Sequence, residues 1–148
     1  MLIRQAKKQD LNEIADLLAV LFLIESDFVI DRDKQIRGIS LLLENNSKGI
    51  VFVSEYHGRV IAMCSLQYLI STAEGGLVGL IEDMVVETKY SRQGVGSRLI
   101  EFVIEYARNM GLSRIQLLAD KLNKPALNFY KKFKFANTNL QVLRKMLR

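Results

Sequence analysis

The sequence predicts a mixed α/β domain, and three observations predict it. Segments with strand alternation and segments with helical spacing take turns along the chain. Turns bearing glycine separate them. The length, 148 residues with 49% apolar and 25% charged, suits one domain that buries a core without disulfide or metal. No linker, repeat or low-complexity stretch divides the chain, so residues 1–148 are read as a single domain.

Ile3 to Ala6 reads as a short strand. Asp10 stands three residues before Glu13, a variant of the capping box, and Leu11, Ile14, Leu18, Leu21 and Phe22 then recur at helical spacing. A second, weaker helix is expected from about Lys34 to Leu43. Ile50 to Ser54 and Arg59 to Leu69 read as two strands joined by the turn Tyr56-His57-Gly58. Gly75-Gly76 marks the next turn, and Leu77 to Val86 the next strand.

A polar stretch with glycines, Tyr90 to Gly96, leads into a helix whose face carries Val95, Leu99, Phe102, Val103, Tyr106 and Met110. Gly111 stands where a left-handed residue would end it. Ser113 to Ala119 reads as a strand. Pro125 sits near the start of a last helix, where its missing N–H has no intrahelical partner. The tail to Arg148 is expected to add one or two strands.

The formal charge of +5 suits an anionic small ligand as well as nucleic acid. No long Lys/Arg tract accompanies it, so no nucleic-acid partner is predicted. No apolar run is long enough for a bilayer, and MLIRQAKKQDLNE lacks the apolar core of a secretory signal. With one cysteine, Cys64, the reading is a cytoplasmic protein with no membrane partner. Cys64 reads as a core residue, His57 as a solvated turn residue, and no metal is predicted.

The segment that carries chemistry runs from Met84 to Ser97. Gly94 and Gly96 remove side chains where backbone N–H groups could face a ligand, and the helix that follows offers unpaired amides and a positive dipole end. Together these suit a diphosphate. The Walker pattern fails, because Gly96-Ser97-Arg98 lacks its lysine. The dinucleotide fingerprint fails too, because Leu99 takes the place of its third glycine.

With its flanks, the segment resembles the GNAT superfamily of N-acetyltransferases. Ser91-Arg92-Gln93-Gly94-Val95-Gly96 matches the signature Gln/Arg-x-x-Gly-x-Gly/Ala, with serine at the first position, after the strand Ile81-Glu82-Asp83-Met84-Val85-Val86. A second block, Asn123-Lys124-Pro125-Ala126-Leu127-Asn128-Phe129-Tyr130-Lys131-Lys132-Phe133-Lys134-Phe135, is similar to the family's later helix, with Lys134 in place of the common glycine.

The resemblance implies a GNAT-like fold. That is a central, mostly antiparallel twisted sheet of six to seven strands with about four helices, in the order β-α-α-β-β-β-α-β-α-β-β. It implies an acetyl-CoA-dependent N-acetyltransferase acting on a primary amine, a small-molecule acceptor, through a tetrahedral intermediate. The pantetheine arm falls to Met84, Val85 and Val86, and the diphosphate to Arg92, Gln93, Gly94, Val95, Gly96 and Ser97. Asn123 matches a cofactor contact and reads equally as a plain helix cap.

Tyr130 matches the tyrosine that protonates the departing thiolate, general acid catalysis. Glu82 is the expected base, with Asp83 as the alternative, because regular alternation gives Glu82 the face of Met84 and Val86. Backbone N–H groups at Val85 or Val86 are the expected oxyanion donors. The acceptor is expected near residues 22–34, with Glu25, Asp27, Asp31 and Asp33, and near residues 71–77. Those four carboxylates also read as a solvated loop capping the second helix, the reading preferred here. Family members often form dimers, so a homodimer is also a partner the resemblance allows. A non-catalytic CoA-binding module and a protein N-acetyltransferase are the competing readings.

Overall fold

Three hairpin-linked strands form the middle of the sheet in the computed structural model, which describes residues 1–148. β1 is Leu2–Gln5, β2 Gly49–Tyr56, β3 Arg59–Ser71, β4 Gly76–Val86 and β5 Ile115–Leu117. They lie side by side in chain order. All neighbours are antiparallel except β4 and β5, which run parallel. The helices are α1 (Leu11–Ile24), α2 (Arg32–Leu43), α3 (Val95–Asn109) and α4 (Lys124–Lys132).

Two compact units carry these elements. Met1–Leu118 holds the whole sheet with α1, α2 and α3, and Ala119–Arg148 holds α4 and the tail. The class and helix count match the expectation, but the sheet has five strands rather than six or seven. Residues 136–148 form no strand. Leu140, Val142, Leu143, Met146 and Leu147 are all exposed, and their uneven spacing gives a strand no single apolar face to bury.

One face of the sheet is sealed by α1. Ile14, Leu17 and Leu18 pack on Val51, Val53, Met63 and Val85, with Ile39 of α2 in the same cluster. Deleting a side chain such as Ile14, fully buried, costs on the order of 2–5 kcal/mol. The other face takes α3. Phe52 of β2 meets the rings of Phe102 and Tyr106 edge-on at 5.2 and 4.9 Å, and the hydroxyls of Tyr68 and Tyr106 meet at 2.9 Å. α3 ends as expected. Gly111 takes φ 76°, its N–H donates to Arg108 and that of Leu112 to Ala107, which satisfies two carbonyls of the last turn.

The capping box expected at Asp10 and Glu13 is not formed. Asp10 is buried and binds elsewhere. It accepts from both terminal nitrogens of the Arg4 guanidinium at 2.8 and 3.0 Å and from the Lys7 N–H at 2.7 Å. A two-point charged donor outcompetes one amide for the same carboxylate. Glu13 reaches across to the sheet and accepts the Val60 N–H at 2.7 Å, beside the β2–β3 irregularity at Ser54 and Glu55.

Candidate functional site in the sheet unit and in the last helix

The sheet unit presents a strand edge and a helix end in sequence. β5 pairs with β4 only at Gly79, Leu80 and Ile81. Beyond Ile81, β4 continues to Val86 with β3 as its one strand neighbour. Glu87 donates its N–H to Ile61 at 2.8 Å. Because antiparallel backbone groups alternate in direction, Val85, opposite Met63, also turns its main chain to β3. Met84 and Val86 therefore turn their N–H and C=O to the open side. Val85 instead has its side chain buried in the α1 core.

The strand then passes through a short 3-10 turn, Thr88–Tyr90, into the loop. Arg92 sits in the left-handed region at φ 60° and Gly94 at φ 80°. Arg92 is a non-glycine residue in a conformation that ordinarily disfavours a Cβ. The Gln93 amide braces the loop by donating to the Lys89 carbonyl at 2.8 Å. The first α3 bond is Arg98 N–H to Gly94 C=O at 3.1 Å. The amides of Val95, Gly96 and Ser97 precede it and have no acceptor inside the helix. The positive end of the helix dipole lies there too. Space above Gly94 is open: a Cβ built on it meets nothing within 4 Å.

These groups fit a CoA-like molecule: exposed main-chain donors and acceptors along Met84 and Val86 for an amide-bearing arm, then unpaired amides for a diphosphate. A hollow of about 200 Å³ beside Tyr56, Tyr90, Gln93, Val95 and Arg98 adjoins the first turn of α3. No β4 residue lines it, so it is distinct from the open edge.

Glu82 and Asp83 lie where β4 departs from regular geometry. Cys64 opposes Met84 and Leu66 opposes Ile81, which leaves two residues of β4 facing Ser65 alone. This bulge overturns the alternation argument, because Ile81 and Met84 now share one face although three residues apart. Glu82 therefore does not inherit the face of Met84. Glu82 is exposed and Asp83 half-buried. The Asp83 N–H donates to Ser65 Oγ at 3.0 Å, and that hydroxyl lies 3.1 Å from Asp83 Oδ2. Burial pushes the Asp83 carboxyl up to about 6, the neighbouring Glu82 adds to the rise, and the Ser65 hydroxyl opposes it. Neither the bulge nor Ser65 is visible in the strand pattern.

The second unit holds the other two candidates. Asn123 caps α4, accepting the Ala126 N–H at 3.2 Å. Tyr130 packs its ring edge-on to Phe129 at 5.2 Å and Phe135 at 5.7 Å. Among the residues read as bystanders, Cys64 is fully buried and burial pushes its thiol well above the ordinary range. His57 sits at the hairpin tip with φ 49°. Asp31 caps α2 by accepting the Lys34 N–H at 3.1 Å, which gives one carboxylate of the expected acceptor rim a structural role.

The family model described as the acetyltransferase (GNAT) family matches residues 11–135. The chain belongs to that family. An uncharacterised N-acetyltransferase of Methanocaldococcus jannaschii is 27% identical over 135 residues, 90% of this chain and 59% of that protein. The thialysine N-epsilon-acetyltransferase of Mus musculus is 35% identical over 77 residues, 52% of this chain and 45% of that protein. The chain thus spans less than two thirds of either relative. A solved structure of a possible acetyltransferase from Clostridium difficile 630 shares the fold at a TM-score of 0.89 with 22% identity, covering 99% of this chain and 97% of that one. No helix is long and apolar enough to cross a membrane.

Proposed function

We propose that this chain moves an acetyl group from acetyl-CoA to the primary amine of a small molecule. One observation carries the reading: the open edge at Met84 and Val86 runs directly into a left-handed glycine loop and the unpaired amides that begin α3. That succession offers hydrogen bonds first to an extended arm and then to an anion.

Acetyl-CoA, when bound, supplies an acyl group activated as a thioester. The amides of Val95, Gly96 and Ser97 hold its diphosphate, with Arg92, Gln93 and Gly94 setting the shape of the approach. The main chain of Met84 and Val86 holds the arm as a neighbouring strand would, and Val85 anchors that strand to β3. Asn123, besides capping α4, contacts the same ligand.

The acceptor amine must lose a proton to attack, since a free alkylamine is mostly protonated at neutral pH. A carboxylate of the Glu82–Asp83 pair takes that proton. The N–H of Val86 steadies the negative charge that develops on the acyl oxygen. Tyr130 donates a proton to the departing sulfur. No side chain becomes acylated. A small amine as acceptor agrees with the name of the Mus musculus relative, and residues 22–34 and 71–77 are the segments that would frame it. The proposal places the reaction in the cytoplasm.

A screen of acetyl-CoA with a panel of primary amines, following release of free thiol, tests the reading. Turnover with a small amine is the expected result. A rise in melting temperature with acetyl-CoA and no turnover across the panel would replace the enzyme by a CoA-binding module. No heat of association with CoA or acetyl-CoA would end both.

A further inference from the structure

We propose that Ser65 is a positioning residue, and that by holding Asp83 in the β4 bulge it makes Asp83, rather than Glu82, the carboxylate that takes the acceptor's proton. The inference deepens the transferase reading and rests on it.

A β-bulge leaves an extra residue without a ladder partner. Here the amide so exposed is that of Asp83, and Ser65 Oγ accepts it at 3.0 Å. The same oxygen is 3.1 Å from Asp83 Oδ2. Ser65 is fully buried, so water does not substitute for it. A hydroxyl both donates and accepts. It donates to Asp83 while the carboxylate is ionised, and accepts from it once the carboxyl has gained a proton. Both protonation states are therefore held in one geometry, as a proton acceptor needs. Glu82, exposed, has no such brace.

The ionisable group acting on Asp83 is Glu82 on its own strand; the Asp83 charge in turn raises the buried thiol of Cys64 on β3. On α1, Glu13 is taken by the Val60 amide and Asp16 by Arg32. On α3, Glu105 pairs with Arg108, while Arg98 and Glu101 are exposed. Asp83 thus keeps a carboxyl near 6, ionised at neutral pH yet more basic than an ordinary aspartate.

In the proposed step Asp83 takes one proton from the ammonium form of the acceptor and passes it to solvent, the neutral nitrogen bonds to the acyl carbon, and the second nitrogen-bound proton passes to Asp83. The carbon–sulfur bond then breaks, and the sulfur takes a proton from Tyr130. Proton loss from Asp83 to solvent and proton uptake from solvent by the Tyr130 phenolate reset the site.

The test has two arms on the intact protein. Carbon NMR titration of the Asp83 carboxyl, in wild type and Ser65→Ala, needs no activity. Its midpoint near 6 should move to higher pH in the variant, because the lost hydrogen bond favours the ionised form. The pH profile of kcat/KM forms the second arm, and its acid limb should move with that midpoint. Turnover at neutral pH is expected to fall roughly tenfold in Ser65→Ala and about 10²- to 10³-fold in Asp83→Asn. Ser65→Cys, which keeps a weak donor and acceptor, should restore part of both readouts, and it carries the comparison if Ser65→Ala does not fold.

An unmoved NMR midpoint overturns the Ser65–Asp83 coupling. A moved midpoint with a fixed acid limb, or an acid limb abolished by Glu82→Gln and kept in Asp83→Asn, overturns the assignment of the base to Asp83. If no amine reacts, the transferase reading fails and with it the catalytic role, while the titration still decides the coupling.

Discussion

Phe135 donates its N–H to the Tyr130 carbonyl at 3.2 Å while the two rings meet edge-on at 5.7 Å. With the Lys134 N–H on the Lys131 carbonyl at 3.0 Å, this is a paired helix ending of the kind normally built around a left-handed glycine. Lys134 occupies that position at φ 66°. The lysine noted in place of a glycine has not changed the helix exit; it has been forced into the glycine's conformation.

Replacing Lys134 by glycine should therefore stabilise the protein. Left-handed backbone costs a residue with a Cβ about 1–2 kcal/mol, and the greater freedom of glycine in the unfolded chain returns part of that. The expected gain is roughly 0.5–1 kcal/mol, read as a higher urea midpoint at unchanged slope. Lys134→Ala should gain nothing. Equal midpoints for all three proteins would mean that the turn carries no strain.

The Arg4–Asp10 pair gives a prediction in pH. The hydrogen bond from Arg4 holds the Asp10 carboxyl below the usual range, against the opposing effect of burial. A carboxylate depressed on folding stabilises the protein above its unfolded pKa, and that stability is lost as pH falls through the folded value. Wild type should lose this contribution progressively below about pH 4. Asp10→Asn should start on the order of 2 kcal/mol less stable at neutral pH, since it leaves Glu55 as the one charged partner of Arg4, and should depend less steeply on acid. Parallel acid curves for the two proteins would show that Asp10 is not the group responsible.

Much of this architecture is legible in the residues because it rests on local rules. Helical spacing from Leu11 to Phe22, the His57-Gly58 turn and Gly111 at the end of α3 each report a backbone state directly. The glycine loop is legible for the same reason, since Gly94 takes the left-handed conformation that its residue type permits.

What is not legible depends on competition between distant groups. Nothing near Asp10 announces that Arg4 takes its carboxylate from the cap. The bulge at Glu82 and Asp83 arises from the register between two strands, and one extra residue leaves no trace in apolar alternation. The tail carries enough apolar residues to suggest strands, but composition without regular spacing does not define a face.

Gly94→Ala probes the loop. At φ 80° an alanine is strained even though the space above is open, costing about 1 kcal/mol of stability. If the loop shifts to relieve that strain, the amides of Val95, Gly96 and Ser97 move with it. Affinity for acetyl-CoA should then fall by about tenfold or more, corresponding to roughly 1.4 kcal/mol. Gly75→Ala is the control, because Gly75 has φ 71° and open space in the β3–β4 turn. It should lose similar stability and leave affinity, measured by calorimetry, unchanged. Equal affinities for the two variants would remove the loop from the binding site.

Tyr130→Phe separates packing from proton donation. The substitution removes one oxygen and keeps the aromatic surface that meets Phe129 and Phe135. A side chain that protonates the departing sulfur acts only as the carbon–sulfur bond breaks, so its loss should appear in kcat and leave acetyl-CoA affinity nearly intact. The expected fall is about 10²- to 10⁴-fold. Stability loss with full turnover would assign Tyr130 to packing alone. A large drop in affinity at normal kcat would make it a binding residue, and the proton on the thiol would then have to come from water.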